Sequence, residues 1–347
     1  MLQELLASMH SRLIKPSHLV KPEKRQKIYF MKNNLEDISF NEVANVDGKS
    51  YAEFREELHP DYIAVKRDIF KGYACLVLIL ILAILLSRSG LFKWFLMLPG
   101  ALLAGYCLAY LHLFIHEAAH YNLHPDRTKN DWISDLMIGV FFGIPVKNYR
   151  KIHWLHHQHL GTTNDSEHSY YNALNLFFLL KSITGIQAIL VIIERAKKSD
   201  GNKRPKTSIL YLGYLVFFHS ALLLILFISG GWMVVSMWLI ALISVFPFLA
   251  ALRQLLEHRD INASGKSNFT KTDHGKISRL FGDNFIDSSF GAAGFNKHLI
   301  HHWDPVISYT RLKEVEAFLS DCPSTSENIR QSKTGYVKIF VSLFKFD

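Results

Sequence analysis

Four apolar runs, Tyr73–Ser87, Leu91–Ile115, Ile209–Ser229 and Trp232–Leu252, decide what this chain can fold into. The last three are each long enough, at about 1.5 Å per helical residue, to cross a hydrocarbon core of roughly 30 Å. The first is short, but Ile69 and Phe70 extend it, and Lys66, Arg67 and Lys71 can snorkel at its edge. These runs predict an all-α integral membrane protein with four transmembrane helices, at about residues 70–87, 91–115, 209–229 and 232–252. The remainder divides into an amino-terminal segment 1–70, a long loop 116–208 and a carboxy-terminal region 253–347. Residues 71–347 then form one domain.

Charge placement orients the spans. The 347 residues carry 39 Lys and Arg against 30 Asp and Glu, a formal net charge of +9. Almost all the cations precede Tyr73, lie between His116 and Lys206, or follow Leu252. The connections between paired spans hold only Arg88 and Lys93, and Gly230-Gly231 holds none. The positive-inside rule then puts both termini and the long loop in the cytoplasm, which an even number of spans requires. The expected location is the cell inner membrane in a bacterium or the endoplasmic reticulum in a eukaryote. The basic balance reads as topology and attraction to anionic lipid, and no aromatic-basic pattern points to nucleic acid.

The other sequence signals are weaker. Of three cysteines, Cys75 and Cys107 fall within predicted spans, so neither a disulfide framework nor a CxxC pair is expected. The amino terminus has no apolar signal-peptide core, and Leu2, Leu5, Leu6, Met9 and Leu13 follow a helical stripe suited to cap packing or interfacial contact. Trp132–Val146 is apolar but too short to span, which suits an interfacial or re-entrant segment. Tyr171–Ile193 is longer but interrupted by polar residues, and reads as helix lying along the membrane surface. Ser199–Thr207 is a basic linker, and Arg311–Leu319 an amphipathic helix.

Three histidine clusters carry the chemistry: His116-Glu-Ala-Ala-His120, His153-Trp-Leu-His156-His157 and His298-Leu-Ile-His301-His302. Positions i, i+3 and i+4 lie on one side of a helix, so each cluster is expected to present its nitrogens to a common point. Imidazole favours iron, zinc, copper and nickel over magnesium or calcium. Eight such groups are too many for one ion. One HxxxH pair is weak, because surface histidines produce it readily, but two HxxHH clusters in one chain are rare. All three fall just beyond span ends, on the side that the charges make cytoplasmic. His258, at the end of the fourth span, is either a further ligand or a helix-terminal cation. Glu117, Asp165, Glu257 and Asp304 stand beside the clusters and could orient ligand rings, as could His159. His112 lies inside a span and suits a polar core role. His10, His18, His59, His124, His219 and His274 look ordinary.

The order and gaps of these clusters, with Leu252-Arg253…Glu257-His258-Arg259 and Asn296-Lys-His298, resemble the membrane fatty-acid desaturase and hydroxylase superfamily over about residues 70–320. The resemblance implies a non-haem centre of two Fe2+ ions, with O2 as co-substrate, beneath a helical cytoplasmic cap and over a tunnel for an acyl chain. It makes His258 a ligand beside His116, His120, His153, His156, His157, His298, His301 and His302, and Asn296 a polar neighbour of the centre. The whole-chain pattern is most like the desaturases, which insert a C=C bond using O2 and two electrons. Hydroxylases and ketolases share the ligand set. His302-Trp-Asp304-Pro305 departs from the pattern, since many relatives have an apolar residue in place of the Asp. No haem-binding HPGG or flavin fingerprint is present, so the reductant is expected to be a separate ferredoxin, or a b-type cytochrome with its reductase.

Two rival readings start from the same residues. His116-Glu117-Ala-Ala-His120 is also HExxH, the zinc metallopeptidase pattern with Glu117 as general base. That reading needs one zinc and leaves both HxxHH clusters unused. A metal carrier would instead place ligands along a path through the spans, whereas these lie beyond the span ends. Phe141, Phe142, Phe177 and Phe178 could line an acyl approach, although aromatic residues at an interface commonly serve as anchors.

Overall fold

A computed structural model describes residues 42–90, 94–162, 164–167, 170, 172–198, 207–260, 263 and 278–345. The amino-terminal leucine stripe, His10, His18, His168, His274 and most of the basic linker lie outside the described residues. What is described is built largely of helices.

The chain enters through α1 (Tyr51–Glu56), started by a Ser50/Glu53 capping box. Asp61 then caps α2 (Tyr62–Arg88) by accepting from the backbone N–H groups of Ile63 and Ala64. The helix α3 (Trp94–Ala119) follows. Among the described residues three helices are long and apolar enough to cross a membrane: α2, α3 and the 50-residue stretch Ile209–His258.

That long stretch is not one straight rod. It comprises α8 (Ile209–Ile240), a π-helical turn (Ala241–Val245) and α9 (Phe246–His258), and Gly231 within α8 has φ 71° and ψ −172°. This left-handed backbone suits glycine and stops the helix there. Contacts on either side show that the chain reverses. Tyr214 donates to the Leu136 carbonyl, while Gly230 at the far end accepts from Ser87 at the end of α2. Beyond Gly231, Val245 lies against Gly105 so closely that a Cβ at position 105 would sit 2.5 Å away. His258 then ends α9 beside the other histidines. The π turn precedes Pro247, which cannot donate to the carbonyl four residues back.

The loop between α3 and α8 contains α4 (Arg127–Ile133), a second π-helical turn (Ser134–Gly139) and a short helical turn Val140–Phe142. The sequence had this region as a run too short to span, and it is broken accordingly. Next come α5 (Val146–His159), α6 (Leu176–Ile183) and α7 (Ile186–Lys198). The last two are bent by 86° at the Thr184–Gly185 turn. Their outer faces leave Leu176, Phe177, Leu180, Ile186, Ile189 and Ile192 exposed.

The carboxy-terminal region holds α10 (Phe285–Phe290), α11 (His298–Trp303), α12 (Leu312–Asp321), α13 (Ser326–Ser332) and α14 (Tyr336–Leu343). Two-residue parallel ladders tie it down. β1 (Leu174–Asn175) pairs with β4 (Phe344–Lys345), and β2 (Leu280–Phe281) with β3 (Lys333–Thr334). One hydrophobic core lies among α2, α3 and α8. A second surrounds α11 and α12 and takes in Val43 and Tyr51, so the described part of the amino-terminal segment packs on the carboxy-terminal region.

Candidate metal centre

The helices bring nine imidazoles into two adjoining groups. His116 and His120 on and just after α3, His153 and His157 on α5, and His301 on α11 form the first, with one nitrogen from each within 4.8 Å of all the others. The second is linked through His258: it meets His156 and His302 in one set, and His298 and Glu257 in another. The rings of His157 and His302 lie 4.4 Å apart between centroids, so the groups are neighbours.

The arrangement corrects one expectation. The HxxHH clusters do not each present their nitrogens to a common point. On α5, His153 and His157 enter the first group while His156 enters the second. On α11 the assignment is reversed: His298 and His302 enter the second group and His301 the first. Helix geometry explains the split. Residues i and i+4 are only about 40° apart around the axis, whereas i+3 and i+4 differ by about 100°.

Within each group the Nε2 atoms face one another. His120 and His153 approach to 2.8 Å, His153 and His157 to 3.0 Å, and His157 and His301 to 3.1 Å. In the second group His258 and His298 lie 2.8 Å apart, and His298 and His302 3.1 Å. Ring protons do not satisfy such a chain. Three contacts among four nitrogens need three aimed protons, and alternating donors and acceptors supply at most two. His116 Nε2 is buried with no hydrogen-bond partner among the described residues. A cation among converging lone pairs resolves both problems. The spacings match those of adjacent nitrogens bound at about 2.1 Å and near right angles. Burial and the charge of nearby imidazoles hold His120, His157, His298, His301 and His302 well below the usual imidazole range. Burial also lowers His153, against the opposing pull of Glu167. They are therefore neutral, which is the form that binds a metal. The donor set fits two transition-metal ions.

Carboxylates stand behind several rings. His156 Nδ1 donates to Asp165, at 2.9 and 3.0 Å from its two oxygens, and Asp165 also accepts from the Tyr170 hydroxyl and the Glu167 backbone N–H. Glu117 lies 3.3 Å from His116 Nδ1, and its other oxygen accepts from the Asn122 amide and the Tyr309 backbone N–H. With both oxygens engaged, Glu117 is poorly placed as the general base of a zinc peptidase. Glu257 differs from these in lying on the side where the nitrogens converge, with Oε2 3.7 Å from His298 Nε2. Because such partners fix ring orientation, Asp165→Asn should weaken metal binding by about 10–100-fold. Equilibrium dialysis against Fe(II) checks this, and unchanged affinity would remove Asp165 from that role.

Other candidates are engaged elsewhere. The Asn296 amide donates to the Gly282 carbonyl and to Asp283. His159 ends α5, with its ring in neither group. Asp304 is buried but meets no imidazole in either group: it accepts from the Tyr51 hydroxyl at 2.9 Å and pairs with the Arg55 guanidinium. It thus clamps α1 onto the end of α11. Removing its charge with Asp304→Asn should cost on the order of 1–3 kcal/mol of stability and leave metal content unchanged. Denaturant unfolding and metal analysis of the same preparation separate the two effects.

Some participants escaped the sequence reading. Glu167 lies 3.8 Å from His153 Nδ1 and is held by the Gln254 amide. Its position two residues after Asp165, in the loop following an HxxHH cluster, was the available signal. Tyr336 donates to Glu257 from the far end of the chain, where nothing local marked it. Conversely, Phe141 packs on Phe218 and Trp238, Phe178 is buried with Leu252 and Leu255, and neither borders the cavity beside His112.

Fold and site together define a helical protein with helices of membrane-crossing length and buried histidine clusters at their ends. The sequence profile of the family described as fatty acid desaturase matches residues 92–331, a stretch that includes all nine histidines, and the chain belongs to that family. It is thus a membrane protein and a desaturase-like enzyme of the fatty-acid desaturase and hydroxylase superfamily. A comparison with curated proteins gives no match.

Proposed function

We propose that this protein is a membrane-bound desaturase that uses two iron ions, O2 and two electrons to introduce a C=C bond into the acyl chain of a lipid or thioester. The observation that carries the reading is the pair of adjoining imidazole groups, each drawing ligands from both HxxHH helices. In this reading all nine histidines are ligands. Two ferrous ions held there supply the O2 activation that an unactivated methylene requires.

The chain's own residues do the rest. The carboxylates of Asp165, Glu117 and Glu167 fix the rings from behind. Burial keeps bulk water away from the imidazoles, all of which are buried or half-buried. A cavity between α3 and α9, bordered by Tyr106, His112, Leu113, Leu249, Arg253 and Phe290, lies within two helical turns of His116 and His258. The cavity is small, but its wall is mostly apolar, as the approach of an acyl chain to the histidines requires.

The reversal at Gly231 supports counting Ile209–His258 as two spans, giving four with α2 and α3. Both termini, and the histidines under a cytosolic cap, then lie on the cytoplasmic side, as the Lys and Arg distribution requires. The exposed apolar faces of α6 and α7 suit helices lying in the membrane interface. Electrons come from a separate ferredoxin or b-type cytochrome.

The test is mass spectrometry of lipids from a host expressing the wild type against His157→Ala. A product two mass units lighter, present only with the wild type, supports desaturation. A product sixteen units heavier makes the protein a hydroxylase, and a net gain of fourteen a ketolase. Peptidase activity with one bound zinc would overturn the reading.

A further inference from the structure

The two imidazole groups are unequal. The first closes with five imidazoles and no carboxylate, whereas the second has four, His156, His258, His298 and His302, and a carboxylate beside them. That carboxylate is Glu257, buried, with Oε2 at 3.7 Å from His298 Nε2 and in the same close set as His258. Its other oxygen is committed: Oε1 accepts from the Tyr336 hydroxyl at 3.1 Å and pairs with Arg253 at 3.3 Å. One oxygen is thus anchored and the other left facing the imidazoles. A buried dication among neutral ligands also needs nearby negative charge, which Glu257 brings.

Tyr336 is held firmly for this task. Its ring stacks on Phe281 at 3.6 Å between centroids and meets Phe290 edge-on at 4.8 Å. Its backbone N–H donates to Asp287 at 2.9 Å. The ladder between Leu280–Phe281 and Lys333–Thr334 delivers it to that place. Tyr336 also lies beyond residue 331, where the family match ends.

We propose that Glu257 is an oxygen donor to the metal of the second group, and that Tyr336, at the start of the carboxy-terminal helix, is the residue that positions it. This rests on the two-metal reading above. The two metal sites are then chemically distinct, one all-nitrogen and the other nitrogen with one carboxylate oxygen, and the carboxy-terminal helix is part of the second.

The test is an anaerobic titration of the full-length metal-free protein with Fe(II), and separately with Co(II), for the wild type, Glu257→Gln and Tyr336→Phe. The wild type should take two equivalents. Glu257→Gln should keep the first equivalent unchanged, bind the second at least tenfold more weakly, and shift only the second equivalent's Co(II) ligand-field bands. Tyr336→Phe preserves the ring and its stacking, and should weaken the second equivalent and broaden the same bands. Second equivalents of wild-type affinity and spectrum in Glu257→Gln would overturn the donor assignment. The same result in Tyr336→Phe, even with a lowered melting temperature, would reduce Tyr336 to packing and overturn its positioning role. A wild type that takes a single equivalent would refute the two-metal reading itself, and this inference with it.

Discussion

His301→Ala protein should carry about one iron per chain where the wild type carries two, and should form product at less than about one hundredth of the wild-type rate. The reason lies in how His301 is supplied. It is the single member of the first group on α11, and it joins that helix to His116, His120, His153 and His157. Without it the first group opens toward α11, and the remaining four imidazoles come only from α3, its end and α5. His157→Ala should behave similarly, because His157 Nε2 touches both His153 and His301. His159→Ala is the matched control: it changes a histidine two positions away whose ring enters neither group, and should keep both metals. Metal analysis of purified protein, with product formation measured in the same preparations, decides the matter. Full turnover by His301→Ala or His157→Ala would refute their assignment as ligands.

The metal-free protein should be acid-labile in a narrow window. His120, His153, His157, His298, His301 and His302 all have imidazoles held below their usual range, chiefly by burial. In the unfolded chain these groups take up protons below about pH 6.5. The native state does not, so below that pH the unfolded state binds more protons and stability falls as pH falls. The contribution is fully present only from about one unit above that value, near pH 7.5. Each group changes the unfolding free energy by up to about 1.4 kcal/mol per pH unit. Several such groups acting together rival the whole stability of many domains, about 5–15 kcal/mol. Denaturant unfolding of the metal-free protein at pH 7.5, 6.5 and 5.5 should therefore show a shallow upper step and a much steeper lower one. Equal stability at pH 6.5 and 5.5 would mean that the imidazoles protonate within the fold.

The apolar helices were legible because apolar runs follow a one-dimensional rule. The described parts of the four apolar runs lie in α2, α3 and Ile209–His258, the second run beginning at residues 91–93, which lie outside the described residues; Gly231 falls at the expected break, and the helix expected at Arg311–Leu319 is Leu312–Asp321. The helices run further than the apolar runs, because Asp61 caps α2 well before the first lipid-suited residue. Neither π-helical turn was legible, since each depends on local chain geometry that hydrophobicity does not encode. Eight of the histidines were legible from their clusters, and His258 only through the family resemblance. Their division between two groups was not, because spacing alone places i, i+3 and i+4 on one side without saying that a second centre lies on the flank of the first. Asp304 illustrates a further limit. Adjacent to a histidine cluster in sequence, it faces Tyr51 and Arg55, some 250 residues earlier, and only the packing of α1 onto α11 reveals its use. Tyr336 is the reverse case, remote in sequence and close in space.

The interleaving of α5 and α11 makes the histidine register intolerant of length change. Inserting one residue between His153 and His156 would rotate everything beyond it by about 100°. His157 would then leave the first group, His156 would turn away from Asp165, and both centres would fail from one event. A point substitution removes a ligand, whereas an insertion misdirects two at once. The HxxHH segments should therefore tolerate changes in the residues between their histidines, such as Trp154 or Leu299, far better than any change in their number.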